Sequence, residues 1–325
     1  MQYTTLGRTG LRVSVAGLGC GGFSRLGQST GKTVAESIGI VRLAMDCGIN
    51  LIDTAAQYST EEIVGQAIAQ VPRDSVVLAT KAQTVIDGVQ LTGEQVMASL
   101  EASLRRLGTD HVEIFQLHGV SPKHYDHACA EVVPALLRAR EQGKIGWIGV
   151  TESGHGDQTH TMLQRAAVDD AFAVGMVAFN MLHRTASDAL FPLTQKQGMG
   201  TLVMHAVRSI FARPDFLASS IRALAAEGKA PAALAESDAP LDFLVHEGGA
   251  SSMTDAAYRF ARHSAGVDVV LFGTGSAEHL RSNVASLLAP PLPAADIARL
   301  LELFGTVSGL GLESPPAMPK PVAPT

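Results

Sequence analysis

The sequence predicts an α/β protein folded as a (β/α)8 barrel, and two observations support this fold class. Short apolar runs of five or six residues, most of them rich in Val, Ile or Leu, alternate with longer segments of helical pattern over residues 15–288. Runs of this kind, each followed by a helix, are typical of buried parallel strands. Eight such units in a chain of 325 residues favour a closed barrel over an open sheet.

The first element is a predicted N-terminal β-hairpin. Residues 2–6 and 11–15 flank the segment Gly7-Arg-Thr-Gly10. Its paired glycines suit a turn that requires positive φ angles. Strands and helices alternate after this hairpin.

The predicted barrel elements follow in order along the chain. The strands are 15–19, 49–53, 76–80, 112–117, 145–150, 174–179, 200–204 and 268–272. The helices are 31–47, 61–71, 92–107, 127–142, 157–169, 187–197, 253–263 and 277–288. A further helix, 294–304, follows the eighth unit and is predicted as an extra C-terminal helix.

The connection after the seventh strand, 205–253, is far longer than the few residues usual in such a loop. Its stretch 214–235 has helical composition, so we expect the insertion to carry its own structure. The apolar residues that share one face of this stretch are Phe216, Leu217, Ile221 and Leu224. Loops at this end of a barrel build the active site. The insertion therefore either forms a wall or lid of the substrate site, or is a surface loop that packs on the barrel without contacting the substrate.

Residues 1–312 are predicted to form a single domain, and the proline-rich tail 313–325 is predicted to be disordered. The chain is 46% hydrophobic with a formal charge of -6 and has no Lys/Arg-rich run, so we expect no nucleic-acid partner. No apolar stretch reaches the roughly 18 residues of a membrane span, and the N-terminus lacks a secretory signal pattern. These features indicate a cytoplasmic enzyme.

A metal site is not expected. The three cysteines, Cys20, Cys47 and Cys129, are widely spaced and match no metal-binding pattern. The histidines cluster with neither a cysteine set nor a carboxylate triad. We expect free thiols in a reducing compartment.

Four residues carry the chemical prediction: Asp53, Tyr58, Lys81 and His118. Asp53, Lys81 and His118 each close an apolar run, and Tyr58 lies in the loop after the first of these runs. Side chains at the same end of successive parallel strands meet in one mouth of a barrel. Each residue alone is better explained by packing or a buried ion pair, but their joint placement favours a shared site.

The four side chains suit proton transfer to a carbonyl oxygen. Tyrosine has an ordinary pKa of about 10, and a neighbouring ammonium, here Lys81, favours its ionised form. Asp53 is expected to hold Lys81 as an ion-pair partner, and His118 to donate a hydrogen bond to the same substrate oxygen. The group includes no nucleophile of its own, and a hydride from a reduced nicotinamide would fill that need.

The same residues resemble the motifs of the aldo-keto reductase family. The motifs that carry the resemblance are Ile52-Asp-Thr-Ala-Ala-Gln-Tyr58, Ala79-Thr-Lys81, Phe115-Gln-Leu-His118, Gly143-Lys-Ile-Gly-Trp-Ile-Gly-Val150, Leu6-Gly-Arg-Thr-Gly-Leu-Arg-Val-Ser14 and Gly17-Leu-Gly-Cys-Gly-Gly22. The match extends through Gly273 to Asn283 and so covers nearly the whole fold. The resemblance implies a barrel that binds NADPH, or less often NADH, and interconverts carbonyls and alcohols. It implies Tyr58 as general acid, Lys81 and Asp53 as its tuning pair, and His118 as the residue that orients the carbonyl.

The resemblance also implies a set of cofactor-binding residues. They are Gly21, Gly22, Asp53, Thr151, Glu152, Asn180, His205, Arg208, Gly273, Thr274, Gly275, Ser276, His279 and Asn283. The segment from Gly273 resembles the family's loop and helix start for the adenosine phosphates. A phosphate at a helix N-terminus is stabilised by free N–H groups and the helix dipole.

Several of these positions depart from the family's usual residues. Thr151-Glu152 stands where Ser-Asn usually holds the nicotinamide carboxamide, and Met176 stands where a glutamine is common. His205 takes the place of an aromatic residue that stacks on the nicotinamide, and it either stacks in the same way or is a strand-end residue without this contact. Arg208 either pairs with the pyrophosphate or is a solvated surface arginine. We therefore expect NADP as cofactor, with NAD as the alternative.

The leading hypothesis is an NAD(P)-dependent oxidoreductase that acts on a small aldehyde, ketone or sugar-like carbonyl, or on the corresponding alcohol. A cofactor-binding regulatory or sensor protein with little turnover is the alternative. A third hypothesis, a lyase that forms a Schiff base at Lys81, leaves Tyr58 and Asp53 without a role. The sequence leaves the physiological substrate, the direction of reaction and the oligomeric state open.

Overall fold

The computed structural model describes residues 1–312 and contains a closed barrel of eight parallel strands. The strands are β1 (Tyr3–Thr5), β2 (Arg12–Ser14), β3 (Ala16–Gly19), β4 (Leu51–Asp53), β5 (Val77–Gln83), β6 (Val85–Ile86), β7 (Val89–Gln90), β8 (Val112–Val120), β9 (Ile145–Glu152), β10 (Val174–Ala178), β11 (Gly200–Met204) and β12 (Val269–Phe272). The barrel consists of β3, β4, β5, β8, β9, β10, β11 and β12, and it closes by pairing β12 with β3. The predicted fold class is confirmed.

Helices surround the barrel. The α-helices are α1 (Val34–Asp46), α2 (Glu61–Ile68), α3 (Gly93–Leu107), α4 (Tyr125–His127), α5 (Val133–Glu141), α6 (Thr161–Val168), α7 (Ala186–Ala189), α8 (Phe191–Gln197), α9 (Ser209–Ala212), α10 (Pro214–Ala226), α11 (Met253–His263), α12 (Ala277–Leu288) and α13 (Ala294–Phe304). The single-turn and irregular helices are Gly7–Thr9, Arg25–Thr30, Ala56–Tyr58, Arg73–Ser75, Pro122–His124, Ala128–Val132, Ala232–Glu236 and Asp242–Leu244.

The N-terminal hairpin closes one end of the barrel. Strands β1 and β2 pair antiparallel, and Gly10 has the φ of +70° that the turn requires. The side chains of Leu6 and Val13 are fully buried and pack with barrel-interior residues of β4 and β11. A Cβ at Gly200 would lie 2.7 Å from Leu6, so this glycine lets the hairpin approach the barrel. The functional side chains lie at the opposite end.

Several predicted helices differ from the observed ones, among them 127–142, which is divided into α4, the irregular helix Ala128–Val132 and α5. Two of the differences have a clear local reason. Helix α6 begins at Thr161 rather than at residue 157, because the carboxylate of Asp157 accepts hydrogen bonds from the backbone N–H groups of Thr161 (2.9 Å) and Met162 (2.7 Å). These are the free N–H groups of a first helical turn. The predicted helix 187–197 is divided into α7 and α8, and Pro192 lies at the start of α8, where its missing N–H is tolerated.

The insertion after β11 carries its own helices, as predicted, but α10 ends at Ala226 rather than at residue 235. Leu217 and Ile221 are buried and join the main hydrophobic core. Phe216, predicted on the same face, is 36% exposed. The insertion therefore packs on the barrel helices through a narrower stripe than the sequence pattern indicates.

The extra C-terminal helix α13 buries Leu300 and Phe304 against the core. The chain after it passes over the loop that follows β10, where Asn180 Nδ2 donates to the carbonyl of Leu310 at 3.1 Å. The predicted tail, 313–325, lies outside the described residues. Within residues 1–312, no helix is long and apolar enough to cross a bilayer.

Candidate active site

The four predicted catalytic residues meet at the C-terminal end of the barrel. Asp53 ends β4, Lys81 lies in β5, and His118 lies near the end of β8. The strand register pairs Lys81 with Gln116 and His118 with Gln83, so the residues that point inward form consecutive layers. Tyr58 closes the short turn Ala56–Tyr58 that follows β4 and reaches the same place.

Lys81 and Asp53 form a buried ion pair. Lys81 Nζ donates to Asp53 Oδ2 at 2.6 Å and to the carbonyl oxygen of Thr54 at 2.9 Å. Both side chains are almost fully buried, with 1% and 5% of their surface exposed. Because two of its three donors are held by oxygen atoms on one side, the ammonium has a fixed position at the base of the mouth.

Gln116 is a member of this site that the sequence analysis did not single out. Its Nε2 donates to Asp53 Oδ1 at 3.0 Å, so each carboxylate oxygen has its own donor. The signal was present in the sequence: Gln116 is two residues before His118 in one strand, and such residues share a face. It was overlooked because an amide has no titratable proton.

Tyr58 and His118 face each other above the ion pair. Tyr58 OH lies 3.3 Å from His118 Nε2, and the two rings are edge to face with centroids 5.5 Å apart. The ammonium of Lys81 lies 5.1 Å from the centroid of the tyrosine ring. A Cβ at Gly21 would lie 2.4 Å from the tyrosine ring, so Gly21 leaves the space that the ring occupies.

The electrostatic state of the four groups is set by burial and by the ion pair. Burial raises the pKa of the Tyr58 phenol, and the ammonium of Lys81 only partly counters this increase. Our expectation of a lowered tyrosine pKa is therefore wrong in its net direction. Burial, aided by the charge of Lys81, lowers the pKa of His118 to about 3. His118 is neutral and Tyr58 protonated near neutral pH.

Lys81 itself stays protonated. Burial lowers its pKa, but the carboxylate of Asp53 and its hydrogen bond, together with Tyr58, more than offset this effect and raise it overall. An amine that forms a Schiff base needs the opposite shift, because only the neutral amine is nucleophilic. The geometry around Lys81 thus argues against the lyase hypothesis.

The positions predicted to hold the nicotinamide carboxamide already have partners within the protein. Thr151 Oγ1 accepts from the backbone N–H of Gly119 at 2.7 Å. The carboxylate of Glu152 is buried, where it accepts from the N–H of Ala178 at 2.7 Å and lies 2.8 Å from His160 Nδ1. Glu152 thus links the end of β9 to the end of β10 through Ala178 and to the residue before α6 through His160, and the sequence did not predict the Glu152–His160 pair.

The loops after β10 and β11 bring Asn180, His205 and Arg208 together. Asn180 Nδ2 lies 3.4 Å from the carbonyl oxygen of His205. Arg208 donates to Nε2 of His205, and its guanidinium lies 5.2 Å from the centroid of the Phe23 ring. Burial and the charge of Arg208 hold the pKa of His205 well below its usual value. His205 is therefore a neutral ring with its proton on Nδ1.

The segment predicted to bind phosphates leads into α12. Ser276 caps this helix by accepting from the N–H of His279 at 3.3 Å, and Thr274 Oγ1 accepts from the N–H of Ser276 at 3.0 Å. Gly273 approaches the backbone of Gly19, where an added Cβ would lie 2.9 Å from its carbonyl oxygen. The side chain of His279 is exposed and that of Asn283 is half-buried on the first turns of α12.

Residues far away in sequence also reach this segment. A Cβ at Gly275 would lie 2.4 Å from the Cα of Gly27, so the irregular turn Arg25–Thr30 packs directly on it. The aliphatic stem of Lys32 lies against Gly27. Arg25 lies in this turn and Lys32 follows it closely, so both are candidate cations for a phosphate near Gly275 that the sequence analysis did not single out. The half-buried Gly22, with a φ of +71°, leads into this turn.

Comparison with known proteins identifies the family. The model of the aldo/keto reductase family matches residues 17–304, which includes the whole barrel and all four site residues. The chain belongs to the aldo-keto reductase family. Solved structures of this family share the fold. The Bacillus halodurans aldo-keto reductase AKR11C1, in its holo form, has a TM-score of 0.71 at 21% identity over 96% of this chain and 100% of that one. The thermostable aldo-keto reductase Tm1743, in complex with epalrestat, has a TM-score of 0.70 at 23% identity over 92% of this chain and 98% of that one.

Curated relatives within the family differ in their named activities. L-galactose dehydrogenase of Arabidopsis thaliana is 34% identical over 46% of this chain and 48% of that protein. The aldo-keto reductase YhdN of Bacillus subtilis is 33% identical over 62% of this chain and 61% of that protein. The NADH-specific methylglyoxal reductase of Escherichia coli is 30% identical over 61% of this chain and 65% of that protein. The matched regions thus span about half to two thirds of these relatives.

The mouth has features that fit a nicotinamide dinucleotide. In the described part of the chain, Ser24 Oγ, His118 Nδ1 and His205 Nδ1 are buried polar atoms without a hydrogen-bond partner. Buried polar atoms are usually paired, so these three are candidate contacts for a bound ligand or water. The capped N-terminus of α12 adds backbone donors for a phosphate.

Proposed function

We propose that this protein is an NAD(P)(H)-dependent oxidoreductase that interconverts the carbonyl and alcohol forms of a small aldehyde, ketone or sugar-like substrate. The observation that carries the proposal is the contact between Tyr58 OH and His118 Nε2, 3.3 Å, directly above the Lys81–Asp53 ion pair. A protonated phenol, a neutral imidazole and a fixed ammonium at one point form a site for protonating a carbonyl oxygen.

In the reducing direction, the substrate carbonyl oxygen lies between Tyr58 OH and His118 Nε2. The carbonyl carbon would accept a hydride, which NAD(P)H would supply when bound. As negative charge develops on the carbonyl oxygen, Tyr58 transfers its proton to it, and His118 donates a hydrogen bond that fixes the position of this oxygen. The phenolate that remains is stabilised by the ammonium of Lys81, which Asp53 and the carbonyl of Thr54 hold in place, while Gln116 orients Asp53. The oxidation of an alcohol uses the same steps in reverse.

The raised pKa of Tyr58 suits this role. The phenol keeps its proton until charge appears on the substrate, and only then does the nearby ammonium favour its loss. A neutral His118 can donate a hydrogen bond without competing for the proton. Electrostatic groups that are already oriented act without reorganisation during the reaction.

The cofactor is proposed to be NADP, with NAD as the alternative. The N-terminus of α12 and the hydroxyls of Thr274 and Ser276 would hold the phosphates. Arg25, in the turn that packs on Gly275, and Lys32, which follows that turn, would add positive charge for a 2′-phosphate. One relative is named NADH-specific, so the ratio of the dissociation constants of NADPH and NADH is the measurement that decides.

The substrate class is supported by the chemistry of the mouth and by the names of two relatives. Those relatives act, by their names, on a sugar and on a small 2-oxoaldehyde. Phe23, 40% exposed, together with Arg208, provides an apolar and a hydrogen-bonding surface beside Tyr58. Such a mixed surface suits a small polyhydroxy or carbonyl compound.

The experiment that tests the proposal is the substitution Tyr58→Phe. We expect carbonyl-dependent oxidation of NAD(P)H to fall by about 10² to 10⁴ because the general acid is lost. Binding of NAD(P)H, measured by fluorescence titration, should stay close to that of the parent. Tyr3→Phe is the matched control, since Tyr3 OH donates to the carbonyl of Gly48 in the hairpin region, away from the mouth. Equal turnover by Tyr58→Phe and the parent would overturn the assignment.

A further inference from the structure

Strand β8 contains a β-bulge directly after His118. On the side of β9, Leu117 pairs with Val150 and Val120 pairs with Glu152, so two residues of β8 face a single residue of β9. Side-chain burial records the same irregularity. Leu117 and Val120 both pack in the core between the barrel and the helices, although residues three apart in a regular strand face opposite sides.

The two residues in the bulge are His118 and Gly119, and the single residue opposite them is Thr151. Gly119 has a φ of +65°, the left-handed conformation that glycine adopts at no steric cost. A bulge takes one backbone N–H out of the strand ladder. Here that group is the N–H of Gly119, and it donates to Thr151 Oγ1 at 2.7 Å. Thr151 is 2% exposed, so its oxygen replaces the missing ladder acceptor inside the protein.

From this arrangement we propose that Thr151 is a positioning residue for His118. The hydroxyl of Thr151 stabilises the left-handed conformation of Gly119 in the bulge. The bulge in turn fixes the position along β8 at which the imidazole of His118 contacts Tyr58. On its other side His118 stays in regular register with Gln83 of β5. The ring is thus fixed by the regular strand on one side and by the Thr151 contact on the other. This inference rests on the proposed function and adds a role that differs from cofactor contact.

A first pair of variants separates positioning from cofactor binding. Thr151→Val has nearly the same shape but no acceptor, and we expect it to lower kcat by about 10- to 100-fold, because a displacement of about 1 Å at a reacting group has such an effect. Thr151→Ser keeps the oxygen and should stay within about threefold of the parent. The dissociation constant of NAD(P)H should be unchanged in both. A loss of cofactor affinity in Thr151→Val that accounts for the loss of activity would overturn the proposal.

A second pair tests the bulge without altering Thr151. An added Cβ at Gly119 would meet no atom within 4 Å, so the left-handed φ of +65° is the main constraint on a substitution there. Gly119→Asn tolerates the left-handed conformation and should retain activity, whereas the β-branched Gly119→Val does not tolerate it and should lose kcat as Thr151→Val does. Equal activity of these two variants would contradict the proposed role of the bulge.

A third measurement asks whether Thr151 acts through His118. In a His118→Ala background, Thr151→Val should have almost no further effect on the single-turnover rate, because the side chain that it positions is gone. Full additivity of the two substitutions would refute the proposal.

A readout without turnover separates this inference from the proposed function. The imidazole NMR signals of His118, assigned with His118→Ala, should shift in Thr151→Val and not in Thr151→Ser. If those signals shift but no carbonyl is reduced by the parent, the positioning role stands and the proposed function fails. If the parent reduces carbonyls and the signals do not shift, the function stands and the positioning role is wrong.

Discussion

The substitution Lys81→Met tests the buried ion pair most severely. It removes the ammonium but keeps an unbranched side chain of similar length, so the carboxylate of Asp53 remains buried with Gln116 as its donor. Removing one partner of a buried, hydrogen-bonded pair costs about 3–5 kcal/mol of unfolding free energy. We expect a loss of this size for Lys81→Met at pH 8, measured by urea denaturation with the fluorescence of Trp147, the single tryptophan of the chain.

The loss should depend on pH in a defined direction. Burial raises the pKa of Asp53, and in Lys81→Met the ammonium that opposes this rise is missing. Between the ordinary carboxyl pKa and the raised one, Asp53 is therefore protonated in the folded variant and ionised in the unfolded chain. The variant should become more stable relative to the parent as the pH falls from the raised folded value towards about 3.9, by at most about 1.4 kcal/mol per pH unit.

The double variant Asp53→Asn/Lys81→Met separates stability from catalysis. It leaves no unpaired charge, so its unfolding free energy should return to within about 2 kcal/mol of the parent. Turnover should stay low, because Tyr58 still lacks its ammonium. A Lys81→Met variant that loses less than about 1 kcal/mol with no pH dependence would refute the buried pair. A double variant that regains turnover would refute its catalytic role.

Three further predictions concern the four predicted catalytic residues and the residues around them. Gly21→Ala places a methyl group 2.4 Å from the ring of Tyr58, so we expect a large loss of kcat with little change in thermal stability, measured by steady-state kinetics and calorimetry. In the folded protein the pKa values of His118 and His183 are lowered to about 3 and about 4, respectively. Below pH 6.5 the unfolded chain therefore binds more protons than the folded protein. The free energy of unfolding should fall as the pH drops from 6.5 towards 4. His118→Asn should flatten part of that slope in urea titrations, and an unchanged slope would contradict the burial of His118. Glu152→Gln should lower the unfolding free energy by about 1–3 kcal/mol, since it weakens a buried charge-assisted bond to His160, and should leave kcat within a fewfold of the parent.

The fold could be predicted from the sequence because the patterns that indicate each strand and helix are local. Each barrel strand is a short apolar run, and polar residues close three of them, so both the barrel and the meeting of Asp53, Lys81 and His118 follow from spacing alone. The hairpin was equally predictable, since Gly7 and Gly10 mark its turn. Helix boundaries were less so: the start of α6 depends on Asp157, which the sequence pattern placed inside the helix.

Contacts between distant segments could not be predicted in the same way. Nothing in the neighbourhood of Gly275 indicates that Gly27, about 250 residues earlier, packs on it and brings Lys32 close. The Glu152–His160 pair depends on a left-handed residue, His160 with a φ of +58°, which no periodicity reveals. The net pKa of Tyr58 also required the structure, because burial and a neighbouring charge act in opposite directions and only geometry gives their balance.

The central claim is hydride transfer to a carbonyl at Tyr58, and isotope transfer tests it most directly. The protein is first titrated with NADPH and NADH by fluorescence, and the better ligand is then supplied with deuterium at its reactive C4 position together with a panel of aldehydes, ketones and sugars. We expect binding, carbonyl-dependent oxidation and deuterium on the carbinol carbon of the product. Binding without oxidation of any carbonyl would favour a sensor, and binding of neither nucleotide would contradict the function proposed for this barrel.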